Sequence, residues 1–349
     1  DQGQAVHLTV NTPTGRAAAE AALKGRVSLS YAPIDTGAAV ERFLDAVEPA
    51  AAIFVELELW PQRLMRLAKR GVPVAIVNAR LSTQSLQRYQ RLGRLLNKAL
   101  GLVKTIAAQT EADAERFAQL GVPAERLTIT GNMKFDQPLD KKQVEAGKAL
   151  RDQIGSERPI WVAASVRDGE TETILSAQQT LLAKIPQALL ILVPRHPQQF
   201  TLPENAKNMA RWSQKPVIAE DTAILLADTM GELPMFLAAA DIAFVGGSLV
   251  PVGGHNPLEP AALGLPVLMG RSVTNFEQVD ALLGQAEARL RIDDGDALDE
   301  HLLALFADAD RRKAMGARAQ QVVAAHQGAC ARTLALLTEQ GINPGKILA

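Results

Sequence analysis

Short apolar runs return along the chain with amphipathic segments between them. In the first half they are AVHLTV, VSLSYA, AAIFVE, VPVAIVN, TIAAQ and RLTITG, separated by stretches such as GAAVERFLDAVE and PQRLMRLAKRG with apolar positions at helical spacing. Strand followed by helix, repeated, predicts a parallel sheet covered on both faces. The second half repeats the pattern with PIWVAAS, ALLILVPRHP, TAILLAD, DIAFVGGS and LPVLMG. Between the halves, QPLDKKQVEAGKALRDQIGSERP is polar, charged and strandless, and it predicts a boundary near residue 150, with domains over 1–150 and 151–349. From about residue 309 to 341 the pattern is helical with no strand after it, and a helix so placed can cross back onto the first domain.

At 349 residues and 47% hydrophobic content the chain can bury two cores, which agrees with that division. Net charge is −1, but residues 1–150 carry +5 and residues 151–349 carry −6. The first half is therefore suited to an acidic partner, such as phosphates or an anionic membrane surface. Arg80–Lys104 sharpens this, because it holds Arg80, Arg88, Arg91, Arg94, Lys98 and Lys104 and no acid. Read as one helix, it lines Arg88, Arg91, Arg94 and Lys98 along one face, which suits anionic headgroups. Tyr89 is its only aromatic, so base stacking, and with it nucleic acid, is disfavoured. A lone cysteine, Cys330, excludes an intramolecular disulfide and any multi-cysteine metal site. No apolar run reaches membrane-spanning length.

Candidate chemistry gathers where strands are expected to end. In GGHNPLEPAALGLPVLMG, Asn256, Pro257, Leu258 and Glu259 follow the order of a cap, a first-turn proline and an acid three residues after the cap. Glu259 there is either a capping-box acid or, with Gly246, Gly247, Gly253 and Gly254 opening the backbone to an anion, an acceptor for ribose hydroxyls. Pro194, Arg195, His196 and Pro197 close a buried strand, and Arg195 has the fork of donors that pairs with phosphate. Asp228, Thr229, Met230, Gly231 and Glu232 open another helix, and Ser165 ends a strand before a polar loop. In the first half, Glu56 and Glu58 are expected on one side of a strand end, and Lys134 follows another strand. The five histidines show no i, i+4 pair, and there is no phosphate-loop lysine or Gly-x-Ser-x-Gly elbow, so neither a metal nor a cofactor is expected.

One feature of the first half departs from a nucleotide-binding pattern. HLTVNTPTGRAAAEAAL supplies strand and helix, but its turn carries no catalytic carboxylate. An earlier strand–loop–helix unit is expected ahead of Asp1.

Taken together, TPTG, ELELWP, NARLS, AAQTEAD, TGNMKFD, LVPRHP, DTMGEL, FVGGSLV, GGHNPLE and PVLMG, in this order, resemble the bacterial 3-deoxy-D-manno-octulosonate (Kdo) transferases of lipopolysaccharide synthesis. The resemblance runs over almost the whole chain. It implies a GT-B glycosyltransferase with two Rossmann-like domains facing across a cleft. The first would take a lipid A precursor such as lipid IVA, and the second CMP-Kdo. Transfer would invert the anomeric centre without a metal, at the cytoplasmic face of the inner membrane. By motif, Pro194 and Arg195, then Met230, Gly231 and Glu232, then Asn256, Pro257, Leu258 and Glu259 would contact CMP, while Glu56 and Lys134 would stabilise the transition state. The general base of such enzymes lies in a Ser-Val-Gly-Glu-like loop after a hydrophobic anchor. Neither occurs among these 349 residues, which leads to the expectation that this chain binds CMP without turnover. The other function weighed is a nucleotide-sugar 2-epimerase, which shares the double-domain plan and a ribose-binding glutamate.

Overall fold

A computed structural model of the protein describes residues 5–56, 60–91, 93–201, 208–293 and 295–342. The chain forms two compact units: Asp1–Asp136 with Gln327–Ala349, and Gln137–His326. Residue 150 lies within the helix Lys141–Ile154, whose Leu150 and Ile154 are buried in the core of the second unit.

In the first unit, β1 (His7–Val10) and β2 (Ser28–Tyr31) pair in parallel, while β3 (Ala52–Val55), β4 (Val74–Ala79), β5 (Thr105–Ala108) and β6 (Leu127–Ile129) form a second parallel sheet in chain order. All residues of β4 and β5 are buried, as the nearly unbroken apolar VAIVNA and TIAA runs require of strands covered on both faces. Local signals set the helix starts. The Thr12 hydroxyl accepts from Gly15 N at 3.0 Å ahead of the first-turn Pro13, and Thr110 caps Glu111–Gln119. On one side of the sheet Leu64, Val74, Ile76, Ile106 and Phe117 make the core. On the other, Leu336 and Leu337 of the helix Ala329–Glu339 cover Ala75, Val77 and Ala107. Asp136 ties this C-terminal helix down, accepting the N–H groups of Gly328 and Cys330, each at 2.5 Å. The helical stretch expected over 309–341 is two helices, Ala309–His326 and Ala329–Glu339, and the break between them lies where the chain changes units.

The basic segment is likewise divided. Thr83–Gln90 and Arg94–Leu100 are separate helices, because Gly93 adopts φ 55° and ψ −136°, a conformation open to glycine and closed to a continuing helix. Arg88, Arg91 and Lys98 are exposed, but they do not share one continuous helical face. The Arg94 side chain lies outside the described residues.

The second unit is a seven-stranded parallel sheet in the order β13-β12-β11-β7-β8-β10-β9. Its strands are β7 (Ile160–Val166), β8 (Leu189–Pro194), β9 (Met209–Arg211), β10 (Ile224–Leu226), β11 (Ile242–Val245), β12 (Val267–Met269) and β13 (Arg289–Arg291). Trp161, Ile174, Leu181, Leu190, Phe244 and Leu302 fill one face, and Val162, Leu189, Phe236 and Leu265 the other. The Trp161 indole donates to Gln178 Oε1 at 2.7 Å, and the Gln178 amide donates to the carbonyls of Ala188 and Ala223, so this buried polar pair is bonded at both ends. Strand order reverses between β7 and β11. In open parallel sheets, ligands bind outside the carboxyl ends of the strands at such a reversal.

Candidate functional site

In the first unit, the ends of β3 and β4 and the turn after β6 converge. Glu56 follows β3 with φ 61° and donates its N–H to Val77 O at 2.9 Å. Asn78 in β4 has φ 51°, and its buried side-chain oxygen accepts Met133 N at 2.9 Å. Lys134, in the turn Met133–Asp136, donates its backbone N–H to Asn132 Oδ1 at 3.0 Å. These restraints bring Lys134 Nζ to 3.4 Å from Glu56 Oε1, with both side chains about two-fifths exposed. Left-handed backbone at two non-glycine residues costs free energy that the surrounding bonds must offset, and such strain gathers at functional sites. The sequence pairs Glu56 with Glu58. Glu58 lies outside the described residues, and Glu56 is paired with Lys134.

In the second unit, the ends of β11, β7, β8 and β10 form one contiguous edge of the sheet. Glu170, fully buried at the start of the helix Thr171–Lys184, organises its centre. One carboxylate oxygen accepts Arg167 N at 2.9 Å and Gly247 N at 2.8 Å, and the other accepts Ser248 N and Leu249 N at 3.0 Å each. A buried carboxylate with four N–H donors fixes the loop after β7 to the glycine loop after β11. Ser165 sits at the bulge in β7 with φ 56°, its carbonyl against Gly246, so it shapes the backbone there.

The loop after β11 returns through His255, whose N–H bonds Gly246 O at 3.0 Å. Gly247 has φ 66°, and a Cβ there would lie 2.8 Å from the His255 ring, so both conformation and space require glycine. Burial, then the charges of Arg195, Arg167 and His196, lower the His255 pKa to about 4. Pro194 is buried at the end of β8, and Arg195 is exposed beyond it, its N–H held by Val166 O at 2.9 Å.

Asn256 and Glu259 differ in detail from a capping box. Asn256 Oδ1 accepts Leu258 N at 3.0 Å, while its amide donates to Glu259 Oε1 at 3.1 Å and to Gln137 Oε1 at 3.4 Å. Glu259 therefore takes a side-chain amide rather than the backbone N–H that a capping box supplies. Burial raises the Glu259 pKa, and the Asn256 bond offsets only part of this. Pro257 and Leu258 are buried beside them. After β10, Asp228 accepts the N–H and hydroxyl of Ser213, each at 2.8 Å. Burial raises the Asp228 pKa, but these bonds and Arg211 outweigh it and the net shift is downward. Glu232 is held by the Trp212 indole at 3.1 Å and by the Thr229 hydroxyl, while Met230 and Gly231 are open to solvent.

Both groups of residues belong to segments that known proteins share. Residues 1–137 match the family described as 3-deoxy-D-manno-octulosonic-acid transferase (kdotransferase). A 3-deoxy-D-manno-octulosonic acid transferase of Haemophilus influenzae is 38% identical over 338 residues, covering 95% of this chain and 79% of that protein. The chain belongs to the 3-deoxy-D-manno-octulosonic acid transferase family. It is thus a glycosyltransferase, and its reaction is Kdo transfer in lipopolysaccharide synthesis. The Bordetella pertussis transferase is 37% identical, covering 97% of this chain and 82% of that protein. The crystal structure of the C-terminal CMP-Kdo binding domain of WaaA from Acinetobacter baumannii is similar, with a TM-score of 0.50 and 30% identity over 53% of this chain and 99% of that one. A UDP-GlcNAc 2-epimerase from Neisseria meningitidis matches with a TM-score of 0.62 over 97% of this chain and 91% of that one. At 15% identity that likeness is one of fold, the GT-B fold.

Proposed function

We propose that the enzyme transfers Kdo from CMP-Kdo to a lipid A precursor such as lipid IVA, inverting the anomeric centre without a metal. The observation that carries this is the row of Arg195, Glu232 and Glu259 beyond the strand ends of the second unit, where a parallel sheet receives a nucleotide. Support comes from the C-terminal CMP-Kdo binding domain of the Acinetobacter protein, which this chain resembles at 30% identity over 53% of its length.

In this reading Arg195 pairs with the donor phosphate, and Pro194 fixes the turn from which it projects. Glu259, held by Asn256 in a poorly solvated position behind Pro257 and Leu258, accepts the ribose hydroxyls. Met230, Gly231 and Glu232 receive the base side of CMP. As the sugar–phosphate C–O bond breaks, positive charge grows on the sugar and negative charge on the departing CMP. The acceptor hydroxyl attacks from the opposite face and gives its proton to a general base, which inverts the centre. Glu56 and Lys134 supply fixed charges of both signs for that transition state. Phosphate neutralisation is assigned to arginine, so no metal is needed for it.

Arg88, Arg91 and Lys98 place the enzyme on anionic lipid at the cytoplasmic face of the inner membrane, where the acceptor is presented. Among the described residues no helix is long and apolar enough to cross a membrane. The test is incubation with labelled CMP-Kdo and lipid IVA. Labelled glycolipid would support the transfer reading and overturn the expectation of CMP binding without turnover; its absence, together with epimerisation of UDP-GlcNAc, would overturn the transfer reading.

A further inference from the structure

We infer that Arg167, His196 and His255, gathered with Arg195 at the carboxyl ends of β7, β8 and β11, form an oxyanion-binding subsite in which His255 Nε2 bonds the anion. The inference rests on the donor reading above and adds to it residues that reading does not use.

Three observations carry it. His255 Nε2 is buried from solvent and has no hydrogen-bond partner in the protein, a state that buried polar atoms rarely keep without a ligand or water. The ring lies over Gly247, and the Arg167 side chain lies near the same Cα, since a Cβ on Gly247 would be 3.0 Å from His255 Nε2 and 3.6 Å from Arg167 Cγ. Arg167 in turn contacts His196 Nε2 at 2.9 Å through its guanidinium. Because a guanidinium only donates, His196 accepts there through its lone pair and carries its proton on Nδ1. Among the described residues, these arginine and histidine side chains form no ion pair with a carboxylate. Glu170 is committed to four backbone N–H groups, and the one acid lining the adjoining open cavity, with Arg167 and His196, is Asp168.

Burial first, and then the positive charges of Arg195 and Arg167, lower the His255 pKa to about 4, so the imidazole is neutral near pH 7. An arriving oxyanion reverses this balance. It offsets these positive neighbours and offers the acceptor that Nε2–H lacks, so the imidazole gains proton affinity on binding. Two groups of a nucleotide-activated acidic sugar have this chemistry, the phosphate and the sugar carboxylate.

The experiment is calorimetric titration of CMP, cytidine, inorganic phosphate and free Kdo at pH 6, in two buffers of different ionisation enthalpy. Wild type is compared with His255→Gln and Arg167→Ala, so that titration of the ligand itself cancels. His255→Gln is expected to weaken CMP about tenfold, to leave cytidine unchanged, and to remove proton uptake that wild type shows. Loss of phosphate binding with Kdo unaffected assigns the subsite to phosphate, and the converse assigns it to the carboxylate. Arg167→Ala, on a side chain outside the core, is expected to weaken the same probe. If both variants bind CMP, phosphate and Kdo as wild type does, with an unchanged proton balance, the inference is wrong. If wild type binds no CMP but His255→Gln still weakens phosphate or Kdo, the donor reading fails and the subsite stands.

Discussion

The carboxylate of Glu170 accepts the N–H of Gly247 at 2.8 Å, across 77 residues of sequence, and so joins the loops after β7 and β11. Glu170→Gln keeps shape but presents an amide N–H₂ to backbone donors, leaving at least one buried donor unpaired. The expected cost is about 2–4 kcal/mol, measured by denaturant unfolding, with CMP binding weakened in the protein that remains folded. A variant as stable as wild type would show that the four bonds are not the restraint described.

Glu259 opposes stability to binding. Its folded pKa is raised, so the folded state holds this proton more tightly than the unfolded chain. That contribution is fully present below the unfolded value and is lost as pH rises through the folded value. Glu259→Gln, free of the ionisation cost, should match wild type in acid and exceed it in stability at pH 7–8, while CMP affinity falls about tenfold. Equal thermal stability at both pH values together with equal affinity would refute this.

For Lys134 and Glu56 the expected pattern is the opposite. A pair this exposed contributes under about 1 kcal/mol to folding. Lys134→Ala should leave the melting temperature nearly unchanged and lower kcat about 100- to 1000-fold, with KM for CMP-Kdo shifted little. Loss confined to KM would place the pair in ground-state binding.

Exposed cations on two short helices can still act together on a membrane. Replacing Arg88, Arg91 and Lys98 with alanine should lower partitioning onto anionic vesicles by one to two orders of magnitude, at about 1 kcal/mol per charge before partial compensation. Neutral vesicles serve as the control. Unchanged partitioning would reduce these residues to an ordinary solvated surface.

How much of this was legible in the sequence depends on how far apart the partners are. The buried strands VAIVNA and LLILVP announce themselves as β4 and β8, because a strand covered on both faces reads as a nearly continuous apolar run, broken in β4 only by Asn78. β9 and β13 do not, being three-residue edge strands that each end in arginine. The candidate residues at strand ends could be named from local order alone, since sheet topology places loop residues there. Glu170 could not, because its partners are backbone groups far along the chain and nothing at 170 marks them. The Glu56–Lys134 pair was hidden for the same reason, whereas Gly93 offered the one local sign that the basic segment breaks. Asp136, a lone acid in TGNMKFD, holds Gly328 and Cys330 after 192 and 194 residues, a relationship that only the return of the C-terminal helix creates.

The central claim is a donor-nucleotide site at the strand ends of the second unit. Its most direct measurement is a titration of CMP, with UDP as comparison, into the full chain and into Arg195→Ala. The account expects saturable one-to-one CMP binding, little for UDP, and at least a tenfold loss in Arg195→Ala. Absence of saturable CMP binding, or an affinity that Arg195→Ala leaves untouched, would contradict it.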